Sequence, residues 1–175
     1  MTEPAAPASR RAFVLTISDG VAAGVRDDES GWELERRLAG LRFEVRRGVV
    51  PDEREAIRTA IVDAVETATL VLTTGGTGLT PRDVTPQATE AIVEYQVPGI
   101  AEAMRAEGRR MTPLAALSRG IVGVRAGALI VNLPGSPKGA LESLEAILPI
   151  LDHALQTLAG PVDHGSPARG RAADR

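Results

Sequence analysis

Short hydrophobic runs alternate along the chain with longer segments in which apolar residues recur every three or four positions. The short runs are rich in Val, Ile, Leu and Phe, a composition that is typical of buried β-strands. We predict strands at residues 13–17 (FVLTI), 43–50 (FEVRRGVV), 70–74 (LVLTT), 121–124 (IVGV) and 128–133 (ALIVNL). Because only the tripeptide RAG separates the last two runs, we expect them to form an antiparallel hairpin.

The periodic segments between these runs predict amphipathic helices. Their apolar stripes are Leu34, Leu38 and Leu41 in a helix over 31–40, Ile57, Ile61 and Val65 in a second, and Ala88, Ala91, Ile92 and Tyr95 in a third. Pro98–Gly99 is expected to end the third helix, and Gly108 to end the short one after it. The remaining stripes are Leu141, Leu144 and Leu148 in a helix begun by Ser136 and Pro137, and Leu151, Leu155 and Leu158 in a separate last helix.

Two further helices also carry start signals. Asp52 occupies an N-cap position, with Glu55 three residues later as in a capping box. Thr85 and Pro86 read as the N-cap and first residue of the third helix.

Strands that alternate with helices indicate a three-layer α/β/α sandwich, with a mostly parallel sheet and one antiparallel strand from the hairpin. We assign this domain to residues 12–160. The Pro/Ala-rich segment 1–11 and the Pro/Gly/Arg-rich segment 161–175 lack periodicity, so we expect flexible tails there. Ligands of such sheets bind at the carboxyl ends of the parallel strands.

Composition narrows the class of protein. A chain of 175 residues with 43% hydrophobic and 25% charged residues suits one globular domain. A net charge of -3 and few aromatic residues argue against nucleic-acid binding. The absence of cysteine excludes disulfides and thiolate sites and fits a cytoplasmic location. No run is apolar enough to span a membrane, and the first residues do not resemble a secretory signal.

The segment TTGGTG, residues 73–78, directly follows a predicted strand and supplies the first candidate site. Its glycines allow backbone N–H groups to approach an anion such as a phosphate closely. It is not a Walker A loop or a dinucleotide fingerprint, because the required lysine and glycine positions are missing. The alternative is that Gly75, Gly76 and Gly78 only form a tight turn.

Carboxylates lie close to this loop. Asp83 would repel bound phosphates unless it held a cation between them, and Mg²⁺ is the expected mediator. An Asx turn ahead of Thr85 accounts for Asp83 equally well. For Asp52 helix capping is the stronger interpretation from the residues alone. Spacing does not decide between solvation and ligand contact for Asp19, Asp27 and Asp28.

A second distinctive segment is NLPGSPKG, residues 132–139, which leads into a helix N-terminus. It contains Lys138, the only lysine of a chain with 20 basic Lys and Arg residues. An ammonium group at a helix start points to an anion, while the alternative is a capped helix with a solvated lysine. Because neither His153 nor His164 is well placed for catalysis, phosphoryl or nucleotidyl transfer by carboxylates, amides and metal is favoured.

Four segments together resemble the MogA/MoaB family of molybdenum cofactor biosynthesis, the molybdopterin adenylyltransferase type. They are ISDG (17–20), VVPDE (49–53), TTGGTGLTPRDVTP (73–86) and NLPGSPKG (132–139), in matching order and spacing over about residues 12–160. The resemblance implies the molybdopterin-binding fold and an enzyme that transfers AMP from MgATP to the phosphate of molybdopterin, releasing pyrophosphate. It also implies a homotrimer and hand-over of the product to a molybdenum insertion protein.

The same resemblance implies roles for individual residues. The acidic catalytic, metal-holding positions fall on Asp52 and Asp83, which reverses the preference for a simple cap at Asp52. The other implied positions are the phosphate loop Thr74, Gly75, Gly76, Thr77 and Gly78, and the pterin or nucleotide contacts Ser18, Asp19, Ser118, Asn132, Pro134, Gly135 and Lys138. Gly20 is a departure, because relatives often carry a basic residue after Ser-Asp, and this leaves the pterin contacts at that position open.

Three functions remain open on the sequence. The first is the adenylyltransferase. The second is a non-catalytic molybdopterin-binding protein of the same family, against which the intact Asp52 and Asp83 argue. The third is a structural subunit whose loops are only turns.

Overall fold

A computed structural model describes residues 10–160, and in that range six strands form one sheet. The strands are β1 Arg11–Ile17, β2 Glu44–Val50, β3 Leu70–Thr74, β4 Tyr95–Gln96, β5 Val122–Arg125 and β6 Ala128–Leu133. Their order across the sheet is β2-β1-β3-β6-β5-β4. The pairs β1–β2, β1–β3 and β3–β6 are parallel, whereas β5 is antiparallel to both β6 and β4. The predicted mostly parallel sheet with one reversed hairpin strand is therefore confirmed.

Helices cover both faces of this sheet. They are α1 Asp19–Ala22, α2 Glu29–Gly40, α3 Arg54–Val65, α4 Thr85–Glu90, α5 Pro98–Met111 and α6 Pro137–Ala159, with a 3-10 helix at Pro113–Leu117. The short helix α1 lies between the strand predicted at 13–17 and the helix predicted over 31–40, where the sequence pattern predicts neither a helix nor a strand. All the predicted strand runs occur, and the two-residue β4 is additional.

The period-two pattern of the central strands builds two separate hydrophobic cores. Val14, Leu72 and Val131 face α2, α5 and α6, where they pack with residues such as Leu34 and Leu144. The alternate residues of the same strands face α3 and α4 and form the other core, which includes Leu15, Val71, Ile130, Ile57 and Ile61. Sheet strands buried on both faces read as continuous apolar runs, as the sequence shows.

Three helix predictions need correction. The helix after residue 136 does not stop before Leu151 but continues as α6 to Ala159, through Pro149. Its inward stripe of Ser143, Leu144, Ile147 and Leu151 is continuous, and packing on the sheet outweighs the one backbone hydrogen bond that Pro149 removes.

The third predicted helix is too long. It ends at Glu90 as α4, and the backbone of Glu94 and Val97 donates to Val124 and Val122 at 2.8 Å, which makes the residues between them an edge strand. As a result Tyr95 is exposed on β4 instead of lying on an inner helix face. Ala91, also predicted inward, is exposed as well.

The helix that follows passes through Gly108 instead of ending there, and reaches Met111 as α5. A Cβ on Gly108 would lie 2.8 Å from the Cβ of Ala115. The glycine therefore allows the 3-10 helix to pack closely against α5, which explains why it is inside the helix and not a terminator.

The predicted tail 1–11 overlaps the described part of the chain only at its end. Arg11 begins β1, and the guanidinium of Arg10 stacks 4.5 Å from the ring centroid of Phe43 and bonds to Asp152. Residues 1–9 and the predicted tail from 161 to 175 lie outside the described residues.

Candidate functional site

The carboxyl ends of β1, β3 and β6 meet at one edge of the sheet, because Thr16, Thr74 and Leu133 are in register. The loops that follow these strands surround a cleft of about 630 Å³. Of the residues predicted for the site, this cleft collects Ser18, Asp52, Thr74, Gly75, Gly76, Asp83 and Gly135. Residues far apart in the sequence are thus brought together at the carboxyl ends of the parallel strands, the edge at which ligands of such sheets bind.

Two glycines shape the phosphate-loop candidate. Gly75 has φ of 106°, and a Cβ there would lie 2.2 Å from the carbonyl oxygen of Ile17. Gly76 has φ of 64°, and its Cβ would lie 2.3 Å from Oγ1 of Thr85 and 3.3 Å from Oδ1 of Asp52. Tight packing thus requires glycine at both positions, and at Gly76 it also brings bare backbone beside a carboxylate.

Thr85 holds this loop in place. Its hydroxyl donates to the carbonyl of Gly75 at 2.9 Å, and its N–H donates to the carbonyl of Gly76 at 3.1 Å. The predicted N-cap role of Thr85 is wrong, because the N-cap of α4 is Val84, which makes no side-chain cap bond. The Thr85 hydroxyl, which the sequence pattern assigned to capping the helix, bonds to the glycine loop instead.

Asp52 is also not a helix cap. The N-cap of α3 is Glu53, without a side-chain bond, so the predicted capping box is absent. Instead the carboxylate of Asp52 accepts the N–H of Asp19 at 2.9 Å, and the N–H of Asp52 donates to the carboxylate of Asp19 at 3.0 Å. Burial raises the pKa of Asp52, and repulsion from the charges of Asp19 and Asp83 raises it further. The hydrogen bond from the N–H of Asp19 and the attraction of Arg82 act in the opposite direction but do not outweigh these effects.

Asp83 is held differently. Its carboxylate accepts the N–H of Thr80 at 2.8 Å and the Thr80 hydroxyl at 2.7 Å. The alternative role of Asp83, an Asx turn ahead of Thr85, is not formed, because its carboxylate bonds back along the chain to Thr80. Burial opposes ionisation of Asp83, but hydrogen bonds from Thr80 and the Gly78 N–H, together with the charge of Arg119, outweigh it and lower the pKa. The two carboxyls of one cleft are therefore shifted in opposite directions.

Three arginines reach the site that the sequence did not single out. Arg82 binds Asp19 in a bidentate pair, with Nε and Nη2 at 3.0 and 2.7 Å from the carboxylate oxygens. Hydrogen bonding to Arg82 is the main reason that the pKa of Asp19 is lowered. Arg119 donates to backbone carbonyls of the segment that carries Asp83. Within residues 10–160, Arg26 supplies the one basic side chain in the lining of the cleft.

A second, smaller cavity of about 310 Å³ adjoins the cleft. It includes the predicted residues Ser118, Asn132 and Pro134, and Ser136 lines both cavities. Its walls also contain apolar side chains of α5 and the 3-10 helix, including Met104 and Leu114, a combination that is typical of small-molecule pockets.

The remaining predicted site residues lie outside both linings. Asp19, Thr77, Gly78 and Lys138 do not line either cavity. The Lys138 side chain is 80% exposed and lies 3.8 Å from Glu142.

Asn132 also differs from a typical ligand contact. Its amide is buried and donates to the hydroxyls of Thr73 and Thr89, each at 3.0 Å, while its oxygen accepts from Ile121 N–H at 3.3 Å. The side chain is therefore occupied inside the fold and braces β6 against β3 and α4.

The rest of the described chain offers little that competes with this site. Between 10 and 160, no group of three or more His, Cys, Asp or Glu side chains is arranged to hold a metal ion by itself. A groove of about 590 Å³ between α2, α5 and α6 contains none of the predicted site residues. None of the helices described is both long and apolar enough to cross a membrane.

Comparison with known proteins gives consistent matches over most of the chain. The model of a family described as a probable molybdopterin binding domain matches residues 13–153. Molybdopterin adenylyltransferase of Helicobacter pylori (strain ATCC 700392 / 26695) is 37% identical over 152 residues, which cover 84% of this chain and 86% of that protein. Molybdopterin adenylyltransferase of Escherichia coli (strain K12) is 40% identical over 142 residues, 78% of this chain and 73% of that protein.

A solved structure agrees with these sequence matches. The crystal structure of the molybdopterin biosynthesis enzyme MoaB from Thermus thermophilus superposes with a TM-score of 0.81 at 50% identity. The match covers 86% of this chain and 97% of that one.

Proposed function

From the premise that the chain belongs to the family of probable molybdopterin binding domains, we infer that it is an enzyme of molybdenum cofactor biosynthesis, a molybdopterin adenylyltransferase. We propose that the enzyme transfers AMP from MgATP to the terminal phosphate of molybdopterin and releases pyrophosphate. The observation that carries it is the position of Asp52 and Asp83 in one cleft, with an oxygen of Asp52 close to the bare backbone of Gly76.

Phosphate groups fit this cleft at the glycine loop. Gly75 and Gly76 expose backbone without side chains, and the loop is fixed by Thr85, so its N–H groups are ordered before a ligand arrives. The reactants are both anionic, and holding them in line against their repulsion is a large part of the catalytic task.

Mg²⁺ suits the donor set of the cleft. Two carboxylates alone do not make a complete site, in keeping with the absence of a three-residue cluster between 10 and 160. Mg²⁺ is commonly bound by one or two carboxylates together with substrate phosphates. We therefore propose that Asp52 and Asp83 hold Mg²⁺ only when the polyphosphate is bound, and that the ion, when bound, would neutralise phosphate charge.

Arg26 is the protein cation that we assign to the phosphates. It lines the cleft beside the carboxylates, and no hydrogen bond or ion pair engages it among the residues described. A Cβ on Gly20 would lie 3.6 Å from the Cβ of Arg26. Arg26 thus stands beside the position where relatives often carry a basic residue, and it can supply the charge that Gly20 lacks. Lys138 does not line the cleft, and we assign it a role at the outer rim.

We assign one of the two heterocycles to the smaller cavity. Its apolar walls with a few polar groups, Ser118 and Ser136 among them, suit a flat ring system. Because Ser136 also lines the cleft, a ligand can extend from this cavity to the phosphates. Asn132, Pro134 and Gly135 then act by shaping the wall between the two spaces.

Assembly, partners and location extend the proposal. We propose a homotrimer that works in the cytoplasm and passes its product to a molybdenum insertion protein. Exposed apolar side chains on the isolated chain support self-association; they include Trp32, Tyr95, Met111, Leu114 and Leu117.

The direct test is to incubate the protein with ATP, Mg²⁺ and molybdopterin and to measure pyrophosphate and adenylylated molybdopterin. We expect equal amounts of both products. Tight binding of molybdopterin with no pyrophosphate would contradict the enzyme and favour the non-catalytic binding protein. Weak binding of both substrates would favour a structural subunit.

A further inference from the structure

Arg119 holds both ends of the short segment that carries Asp83. Its backbone N–H donates to the carbonyl of Thr77 at 3.0 Å. Its guanidinium donates through Nε to the carbonyl of Gly78 at 2.8 Å and through Nη2 to the carbonyl of Asp83 at 2.6 Å. One residue therefore fixes where the segment 77–83 leaves the glycine loop and where it ends.

The segment has little else to order it. Residues 79–82 are exposed, and the bonds of Asp83 to Thr80 lie within the segment itself, so they move with it. The ion pair between Arg82 and Asp19 also ties the segment to the rest of the chain, but its side chains are 58% and 49% exposed. This pair is bidentate, but solvent screens it and it ties down only side chains, whereas Arg119 is half-buried and bonds directly to the backbone of the segment.

Arg119 also lies between two residues of the wall of the other cavity, although it does not line that cavity itself. Its neighbours Ser118 and Gly120 line the 310 Å³ cavity, and Asn132 N–H anchors the same stretch by donating to the carbonyl of Ile121 at 3.0 Å. The guanidinium reaches from this wall to the acidic cleft. Arg119 therefore connects the segment that carries Asp83 to the wall of the smaller cavity, through its hydrogen bonds on one side and its chain neighbours on the other.

We propose that Arg119 is a positioning residue, which sets the carboxylate of Asp83 in the cleft and ties it to the wall of the smaller cavity. Arg119 touches neither cavity's ligand in this role; it acts through the carbonyls of Gly78 and Asp83. The catalytic consequence rests on the proposed adenylyl transfer, whereas the ordering of the segment does not.

The chain offers a matched control for Arg119. Arg125 is also half-buried and donates to a backbone carbonyl, that of Ile92, at 2.8 Å. It ends β5 beside the hairpin turn, opposite Ala128, and so lies at the end of the sheet away from the cleft. Arg119→Met and Arg125→Met therefore remove similar bonds at different places, and Arg119→Lys keeps one donor in reach of the carbonyls.

The first measurement is amide hydrogen exchange of the ligand-free protein. Arg119→Met should speed exchange in the segment 77–83 about tenfold, Arg119→Lys less, and Arg125→Met not at all. Unchanged exchange in Arg119→Met overturns the proposal. If Arg119→Met does not fold, exchange in Arg119→Lys is compared with exchange in Arg125→Met instead. Lysine cannot reach both carbonyls at once, so the proposal requires faster exchange in the segment 77–83 of this variant too.

The second measurement is steady-state adenylylation. A misplaced carboxylate should lower kcat by about 30- to 100-fold in Arg119→Met, with KM for ATP and for molybdopterin within about threefold of normal. A kcat equal to that of Arg125→Met contradicts the positioning role even where exchange is faster. Absence of turnover in the unmodified protein refutes the proposed function instead, and leaves the exchange experiment to judge Arg119 alone.

Discussion

Asp19 and Asp52 exchange hydrogen bonds, since the backbone N–H of each donates to the carboxylate of the other at 2.9 and 3.0 Å. This pair of bonds ties the loop after β1 to the loop after β2 and fixes the Asp52 carboxylate at the cleft. It also brings two negative charges together, and the bidentate contact of Arg82 with Asp19 offsets part of their repulsion. The arrangement favours a site that becomes more stable when a cation enters.

Asp83→Ala should separate binding from turnover. We expect adenylylation to fall by orders of magnitude, because the variant loses one of the two carboxylates proposed to hold the metal, while molybdopterin affinity changes only a few fold. Pyrophosphate release and molybdopterin titration measure the two quantities. Asp63→Ala, on the exposed side of α3, is the control for loss of a carboxylate. Near-normal turnover of Asp83→Ala would refute the metal role.

Asp52→Asn should increase the thermal stability of the ligand-free protein. The folded pKa of Asp52 is raised, so its ionised form destabilises the fold, and this penalty is relieved as the pH falls through that pKa. The variant keeps an oxygen for the N–H of Asp19. After allowance for solvent screening we expect a gain of about 1–2 °C in Tm at pH 7 that shrinks toward pH 4. A lower Tm at pH 7 would contradict it.

Asp83→Asn should show the opposite sign. The folded pKa of Asp83 is lowered, so its charge stabilises the fold above the ordinary aspartate pKa, and this contribution is lost as the pH falls through the folded value. We expect a loss of about 1–2 °C at pH 7 that narrows in acid. Thermal scans of both asparagine variants over one pH series compare the signs directly.

Gly75→Ala should cost more stability than Gly24→Ala. Both glycines have left-handed backbone, with φ of 106° and 71°, but a Cβ on Gly24 would meet nothing within 4 Å. Gly24→Ala therefore carries only the backbone strain of about 1–2 kcal/mol. Gly75→Ala adds a clash with the carbonyl of Ile17, which costs about 1–3 kcal/mol more. Denaturant unfolding measures the difference, and equal losses would show that the loop yields to the new methyl group.

Arg26→Gln should weaken nucleotide binding. Loss of a charge-assisted hydrogen bond to phosphate, at the low end of its range for an exposed group, corresponds to an increase of about tenfold in KM for ATP. Because the side chain is exposed and makes no hydrogen bond or ion pair between residues 10 and 160, Tm should not change. Arg109→Gln, an exposed arginine in the last turn of α5, provides the control. An unchanged KM would remove Arg26 from the site.

Asn132→Leu should act mainly on stability. The substitution leaves the N–H of Ile121 and the hydroxyls of Thr73 and Thr89 without their partner in the buried core. Each such buried group costs about 1–3 kcal/mol. A marked fall in Tm with little change in molybdopterin affinity per folded molecule would support the bracing role, and the reverse would support direct contact.

Much of the fold was readable from the sequence because buried parallel strands are continuous apolar runs. The runs FVLTI, LVLTT and ALIVNL predicted β1, β3 and β6. Because these strands were expected to be parallel, the loops after them were expected at one edge of the sheet. The predictions that failed were helix ends at which local sequence signals and tertiary packing favour different structures. Pro149 and Gly108 are local helix breakers, yet both lie inside helices, because packing on the sheet and on the 3-10 helix outweighs them.

The site was predictable only as far as motifs reached. Asp52 and Thr85 had good local explanations as caps, and only the structure shows that their side chains bond instead to Asp19 and to the glycine loop. Arg26 and Arg119 had no signal, because arginine is so frequent in this chain that no single one stands out. Their importance comes from where distant segments bring them, which periodicity does not encode.

Gly135 packs tightly on the glycine loop, because a Cβ on Gly135 would lie only 3.1 Å from Cα of Gly75. Two glycines pressed together leave no side chain that could swing aside and change the spacing. Because the loop that carries Gly135 also carries Ser136, which lines both cavities, we expect this contact to fix the distance between the glycine loop and the smaller cavity.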